Sequence, residues 1–328
     1  MRVFQGNGLQ VGGIAIDPES AIGSLPEKAV ISHAHADHVC LNPKTKFFLS
    51  KETSELILSR FGKIKNFETV ELGKKKEILG AKVSLQDSGH ILGSAQTVVE
   101  ESKRVVCTSD FKLEDSLLSK GAVPLQADTL VIESTFGLPC YAFPKREELY
   151  QEIGKWVKEK SRKGFVVLAG YSLGKAQELT KIVNEFAQQA PIVHESVFKN
   201  NRVYEQFGKG LGNYLLLDHN LKESNVLIMP PSLIKQDLLQ AIQYSVKKMV
   251  FSAIATGWSY KGCYDRVFNL SDHADFNGLL QYVQYSQPKL VYTTHGFERE
   301  LAGYISKRLN IDAKPLSLAN QKTIKEFF

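Results

Sequence analysis

The chain has 328 residues, 43% of them hydrophobic and 23% charged, with a formal net charge of +6. That composition belongs to a globular chain long enough for two domains, or for one domain carrying an insertion. No apolar run approaches the length of a membrane span, and the mild basic surplus, compatible with a polyanionic partner, selects no function by itself. In chain order, residues 9–16, 28–32, 46–49, 82–86 and 105–108 read as strands from their alternating or β-branched pattern. Between them, residues 53–61 read as a helix with Leu56, Ile57 and Phe61 on one side.

After Val131-Ile132-Glu133 the pattern changes. A helix is predicted over 146–161, with Leu149, Ile153, Trp156 and Val157 at helical spacing. A buried strand over 164–169, a helix over 175–189 and strands over 226–229 and 249–254 follow, the first of these ended by Pro230-Pro231. The tail alternates again, with strands over 266–270 and 289–293 and helices over 276–285 and 297–309. Alternation of this kind predicts α/β layers. Lys74-Lys75-Lys76 reads as a solvated turn or a small basic patch. Cys40, Cys107, Cys140 and Cys263 are dispersed, which argues against a zinc knuckle and a disulfide framework. The first residues, MRVFQG, lack the layout of a signal peptide, so a cytoplasmic protein is expected.

The strongest chemical signal is His33-Ala34-His35-Ala36-Asp37-His38, directly after the apolar strand Ala29-Val30-Ile31. Four potential ligands in six residues are hard to explain as packing, and imidazole with carboxylate is the donor set of a hydrolytic zinc site. On an extended strand end, His33, His35 and Asp37 would share one side, while a turn would carry His38 toward a second ion. His90, Asp110 and His295 recur at other strand ends, His90 within Ser88-Gly89-His90 and His295 within Thr293-Thr294-His295-Gly296. Taken singly, each is more often a surface or capping residue; together with the hexapeptide they complete a dinuclear site. The segment Tyr171-Ser172-Leu173-Gly174-Lys175 is a strand-to-helix turn. Its backbone N–H groups and lysine suit a phosphate, or simply cap a helix, and it lacks the spacing of a nucleotide-triphosphate loop.

With these residues the sequence resembles the metallo-β-lactamase superfamily and, within it, the β-CASP nucleases. The hexapeptide matches the superfamily signature. Glu133 in Ile132-Glu133-Ser134-Thr135-Phe136-Gly137, His273 in Ser271-Asp272-His273-Ala274-Asp275, and His295 resemble the three further β-CASP motifs. The resemblance implies an αββα sandwich of residues 1–138 and 255–328, with an inserted α/β cap of 139–254. It implies two divalent metal ions, zinc first and manganese as the alternative. His33, His35 and His90 would hold one ion, Asp37, His38 and His295 the other, and Asp110 would bridge them. Asp37, His273 and Glu133 are the expected catalytic residues, His273 as general acid and Glu133 as its orienting partner. Asp272 and Asp275 are either support for the centre or solvated neighbours.

The insert is most similar to ligase-associated DNA exonucleases, and more distantly to Artemis-type and cleavage/polyadenylation-type nucleases. The expected activity is therefore 5′→3′ exonuclease action on single-stranded DNA in repair or end processing, with a DNA ligase or helicase as a candidate partner. Substrate contacts are expected from Ser271, Ser172, Lys175 and Trp258, the last by stacking on a base unless it is buried. The alternatives are an RNA exo- or endonuclease, a small-molecule metallo-hydrolase, and an idle scaffold subunit of the same fold.

Overall fold

Residues 9–16, read above as one strand, fold as a hairpin. Gly12 and Gly13 lie at φ 55° and 87°, the left-handed pair that a two-residue hairpin loop demands, so Gly8–Val11 turns back and Val11 faces Ile14. The computed structural model describes residues 1–6, 8–18, 26–62, 64–218, 221–259, 262 and 264–318; Cys263 lies outside them. The described chain divides into two compact units, one comprising Met1–Asp115, Lys120–Ala142 and the residues from His273 on, the other Ser116–Ser119 and Phe143–Asp272.

In the first unit a six-stranded sheet runs, in spatial order, Val3–Gly6, Gly8–Val11, Ile14–Ile16, Lys28–Val30, Lys46–Leu49 and Phe67–Thr69. A seven-stranded sheet runs Asp312–Pro315, Leu290–Gly296, Thr129–Ser134, Arg104–Cys107, Ala95–Glu100, Ala81–Asp87 and Lys75–Ile78. Its first four strands are parallel and the rest antiparallel. Period-two alternation gives each strand two faces. Val11, Ile14, Ile16, Val30 and Phe48 of one sheet pack with Val83, Leu85, Val99, Val105 and Val131 of the other. The outer face of the second sheet, with Val98, Val106, Leu130 and Ile132, is covered by Leu279, Tyr282 and Val283 of the helix Phe276–Ser286 and by Leu301 and Ile305 of the helix Glu298–Leu309.

The second unit holds a wholly parallel sheet in the order Leu215–Leu216, Ile192–Val193, Val226–Met229, Phe165–Ala169, Val250–Ala255, Arg266–Phe268. Its strands are apolar on both faces, as a sheet covered twice requires. Val166, Leu168 and Ile228 meet Leu149, Ile153, Leu179 and Val197 on one side. Val167, Leu227 and Ile254 meet Leu239 and Ile242 on the other. The unit continues to Asp272, beyond the expected boundary at 254, because Arg266–Phe268 pairs in parallel with Val250–Ala255 and forms the edge of this sheet.

The helix Lys51–Phe61 starts at Ser50, whose hydroxyl accepts from Thr53 N. The Ser50 and Thr53 hydroxyls also donate to Gly93 O at 2.7 and 2.9 Å, which ties the helix start to the loop that carries His90. Gly93 has φ +74°, and a Cβ there would stand 2.4 Å from Glu52 Cβ and 2.8 Å from Thr53 N. Gly93→Ala is expected to destabilise the chain by about 3 kcal/mol through left-handed strain plus overpacking. Denaturant unfolding of the two proteins measures this directly; equal midpoints would show that the loop yields freely.

Candidate metal centre

The hexapeptide does not stay extended. After His35 the residues Ala36–His38 form one 3-10 turn, and a turn advancing by about 120° per residue separates neighbours that a strand would alternate. His38 therefore turns inward and is buried, while the Asp37 carboxylate is 79% exposed, 3.9 Å from His38 Nε2. Asp37 thus does not share a face with His33 and His35 as an extended strand would have arranged it.

Asp110 occupies the centre. It follows the strand Arg104–Cys107 by way of Ser109, held at φ 47°. Its Oδ2 lies 3.4 Å from His33 Nε2, 3.5 Å from His38 Nε2, 3.6 Å from His90 Nε2 and 3.9 Å from His273 Nε2. One set of donors is His33, His35, His90 and Asp110, a second is Asp17, His33 and His38, and a third is Asp110, Glu133 and His273. His295 lies outside these sets, exposed at φ 56°, with its ring centroid 5.3 Å from that of His38.

The first set suits a divalent cation. His33 Nε2 and His90 Nε2 stand 3.1 and 3.0 Å from His35 Nδ1, near the separation of roughly 3.3 Å between ligands of a tetrahedral zinc with bonds of about 2.0–2.1 Å. Tautomers agree with this. The Ser32 hydroxyl donates to Asp17 Oδ2 at 2.6 Å, so it accepts from His33 Nδ1 at 2.9 Å and leaves the His33 Nε2 lone pair free for an ion. Burial, aided by the charge on His38, holds His33 below its ordinary pKa. Burial, with His273 adding to it, holds His90 well below. Neutral imidazole is the form that binds metal.

His38 behaves oppositely. Burial alone would lower it, but Asp110 and Asp17 hold its imidazolium up to about 10. Burial would likewise raise Asp110, yet the charges of His38 and His273 keep it well below the carboxylate range.

Asp17 was absent from the sequence expectations. It caps the strand Ile14–Ile16 at φ 48° and accepts from Ser32 N at 2.7 Å, from the Ser109 hydroxyl and from His38 Nδ1 at 2.9 Å. The available signal was an acid closing an apolar strand, Ala15-Ile16-Asp17, the placement that marked Asp110. A cavity of about 30 Å³ adjoins it, with Cys107, Ser109 and His295 in its wall.

Glu133 is fully buried and accepts from Phe111 N at 2.7 Å, from the Thr135 hydroxyl at 2.5 Å and from His273 Nδ1 at 2.8 Å. That fixes the His273 ring with Nε2 toward Asp110. The remaining expected residues, Ser172, Lys175, Trp258 and Ser271, belong to the second unit. Lys175 is buried and pairs with Asp272 at 3.0 Å, and Arg146, held by Glu178 at 2.8 Å, donates to Ser271 O. Trp258 is 39% exposed.

A two-sheet sandwich with helices outside and a His/Asp centre at its strand ends defines the metallo-β-lactamase fold. Residues 266–314 match the family described as the Zn-dependent metallo-hydrolase RNA specificity domain. The chain is 32% identical over 295 residues to a probable DNA ligase from Opitutus terrae, a match covering 87% of this chain and 28% of that protein. It is 28% identical over 199 residues to cleavage and polyadenylation specificity factor 73 of Drosophila melanogaster, covering 50% and 29%. It is 26% identical over 190 residues to an RNase J-like protein of Methanocaldococcus jannaschii, covering 51% and 45%. The chain thus spans less than half the length of each of these relatives. A protein of unknown function from Enterococcus faecalis V583 shares the fold with a TM-score of 0.63 at 12% identity, over 90% of this chain and 93% of that one. With the sandwich and the inserted parallel unit, the matched domain and these relatives support a likeness to the β-CASP proteins of the metallo-β-lactamase fold. No helix among the described residues is long and apolar enough to cross a membrane.

Were His38 to take up an ion, it would first have to lose the Nε2 proton that Asp110 and Asp17 retain up to about 10. Metal uptake at pH 7 should therefore release about one proton from this site. Calorimetric titration with zinc in two buffers of different ionisation enthalpy reads this number, and identical heats in both would show that His38 is already neutral.

Proposed function

We propose that the chain is a metal-dependent phosphodiesterase that degrades single-stranded DNA from the 5′ end, in repair or end processing. The observation that carries it is the single Asp110 oxygen shared by His33, His38 and His90, with the His273–Glu133 pair facing the same oxygen. His33, His35, His90 and Asp110 would hold one cation, and His38 with Asp110 a second, with Asp37 and His295 as its further expected donors. Two divalent cations, zinc or manganese, would supply Lewis acidity at phosphorus and would make water acidic enough to act as nucleophile near neutral pH.

The residues of the chain do the rest. Glu133 keeps the His273 Nδ1 proton in place, so the proton that His273 can move is the one at Nε2. Delivered to the departing oxygen, that proton avoids expelling a bare alkoxide. Asp110 holds the imidazole donors around one negative charge. Trp258, a partly exposed residue, is assigned to stacking on a base. The Ser172 and Ser271 hydroxyls are assigned to the backbone phosphate, and Lys175 to the charge balance of that segment through Asp272.

DNA is favoured because the match to the probable DNA ligase covers 87% of this chain, whereas the RNA-associated relatives cover about half. A DNA ligase is accordingly the proposed partner, and the cytoplasm the proposed setting. RNA is the second reading, favoured by the matched RNA specificity domain. Matched 5′-labelled DNA and RNA strands, with and without a 5′-phosphate, separate the two. Mononucleotides released from phosphorylated DNA support the first reading, and preferential RNA cleavage replaces it with the second. His273→Ala should lower kcat by roughly 10²–10⁴-fold while metal content stays at the wild-type level. Loss of metal from that variant would make His273 a ligand rather than an acid.

A further inference from the structure

We propose that Lys112 is a positioning residue for the metal centre: its buried ammonium ties the backbone that carries His90 to the strand end that carries Asp110. The proposal rests on the reading of that site as a metal centre. Lys112 is 1% exposed. Its Nζ donates to Gly89 O and, at 3.2 Å, to His90 O. Its main-chain N–H donates to Ser88 O at 3.2 Å, and its carbonyl accepts from Ala122 N at 2.7 Å. One residue thus grips three successive residues of the other segment.

The two backbones also approach closely. Gly89 sits at φ +70°, and a Cβ there would stand 3.0 Å from Lys112 O and 2.8 Å from Lys120 O. The side chains carried by these gripped segments are two donors of one set, His90 Nε2 and Asp110 Oδ2, 3.6 Å apart. A lysine here is not explained by packing. An apolar side chain of the same length would fill the space without placing a buried cation beside a site that takes cations. What the ammonium adds is charge-assisted bonding to carbonyls, and those carbonyls belong to the loop of a ligand. Groups that orient a ligand in this way govern affinity as well as shape.

The test titrates the full chain with cobalt(II), following the visible d–d absorption for coordination geometry and chelator competition for affinity, in the wild type, Lys112→Met and Lys112→Gln. Lys112→Met should bind one equivalent roughly ten- to hundred-fold more weakly, with an altered d–d spectrum and a melt that remains cooperative. Lys112→Gln, which keeps a donor able to reach a carbonyl, should recover part of both. Wild-type affinity and spectrum in Lys112→Met overturn the positioning role and leave the metal centre standing. Failure of the wild type to take up cobalt overturns the metal centre, and this proposal with it. If Lys112→Met does not fold, the same comparison on Lys112→Gln decides.

Discussion

A single carboxylate oxygen, Asp110 Oδ2, stands within 4 Å of four imidazole rings, those of His33, His38, His90 and His273. Asp110 is buried, and a buried charge is tolerated only with compensation close at hand. In the metal-free chain that compensation comes largely from the imidazolium of His38, which Asp17 supports from its other nitrogen. Asp17 in turn needs Ser32 N, Ser32 Oγ and Ser109 Oγ. The centre is thus a closed circuit of charge, and the donors face one another because that oxygen requires them.

Sheet topology explains how residues so distant in sequence reach this point. Arg104–Cys107, Thr129–Ser134 and Leu290–Gly296 are adjacent and parallel, so their carboxyl ends lie along one edge. There the chain places Asp110, Glu133 and His295. In the facing sheet, Ile14–Ile16 and Lys28–Val30 are likewise parallel neighbours and deliver Asp17 and the hexapeptide. Parallel strands gather their endings on one side, where loops are free to carry chemistry while the apolar middle holds them in register.

What the sequence made legible was mostly local. The hexapeptide announces itself because its donors are contiguous, and the helix over 146–161 because its apolar spacing is. The Glu133–His273 pair became readable through family resemblance, and its 2.8 Å contact is present. Long-range consequences were hidden. Asp17 looks like an ordinary strand end until Ser32 and Ser109 close on it across 15 and 92 positions. Lys175 reads as a phosphate ligand from its own loop, and only Asp272, far along the chain, shows that its charge is already engaged. Arg266–Phe268 has a strand pattern that cannot declare which sheet it joins, which is why the second unit runs past 254. A turn carrying His38 inward could be foreseen, but not that it would begin at Ala36 and take Asp37 off the side shared with His33 and His35.

Asp17, Ser109 and His295 share one further property: each is a non-glycine residue near φ +50°, and all three line the small cavity beside the centre. Each such conformation costs on the order of 1–2 kcal/mol. Glycine would relax the backbone at any of them and remove a side chain that the centre uses or adjoins. Others of this kind, such as Asn66, Leu79 and Asn310, stand apart, whereas these three meet at one cavity. An ion bound at that rim would hold these strained segments together, acting as a rivet as well as a reagent.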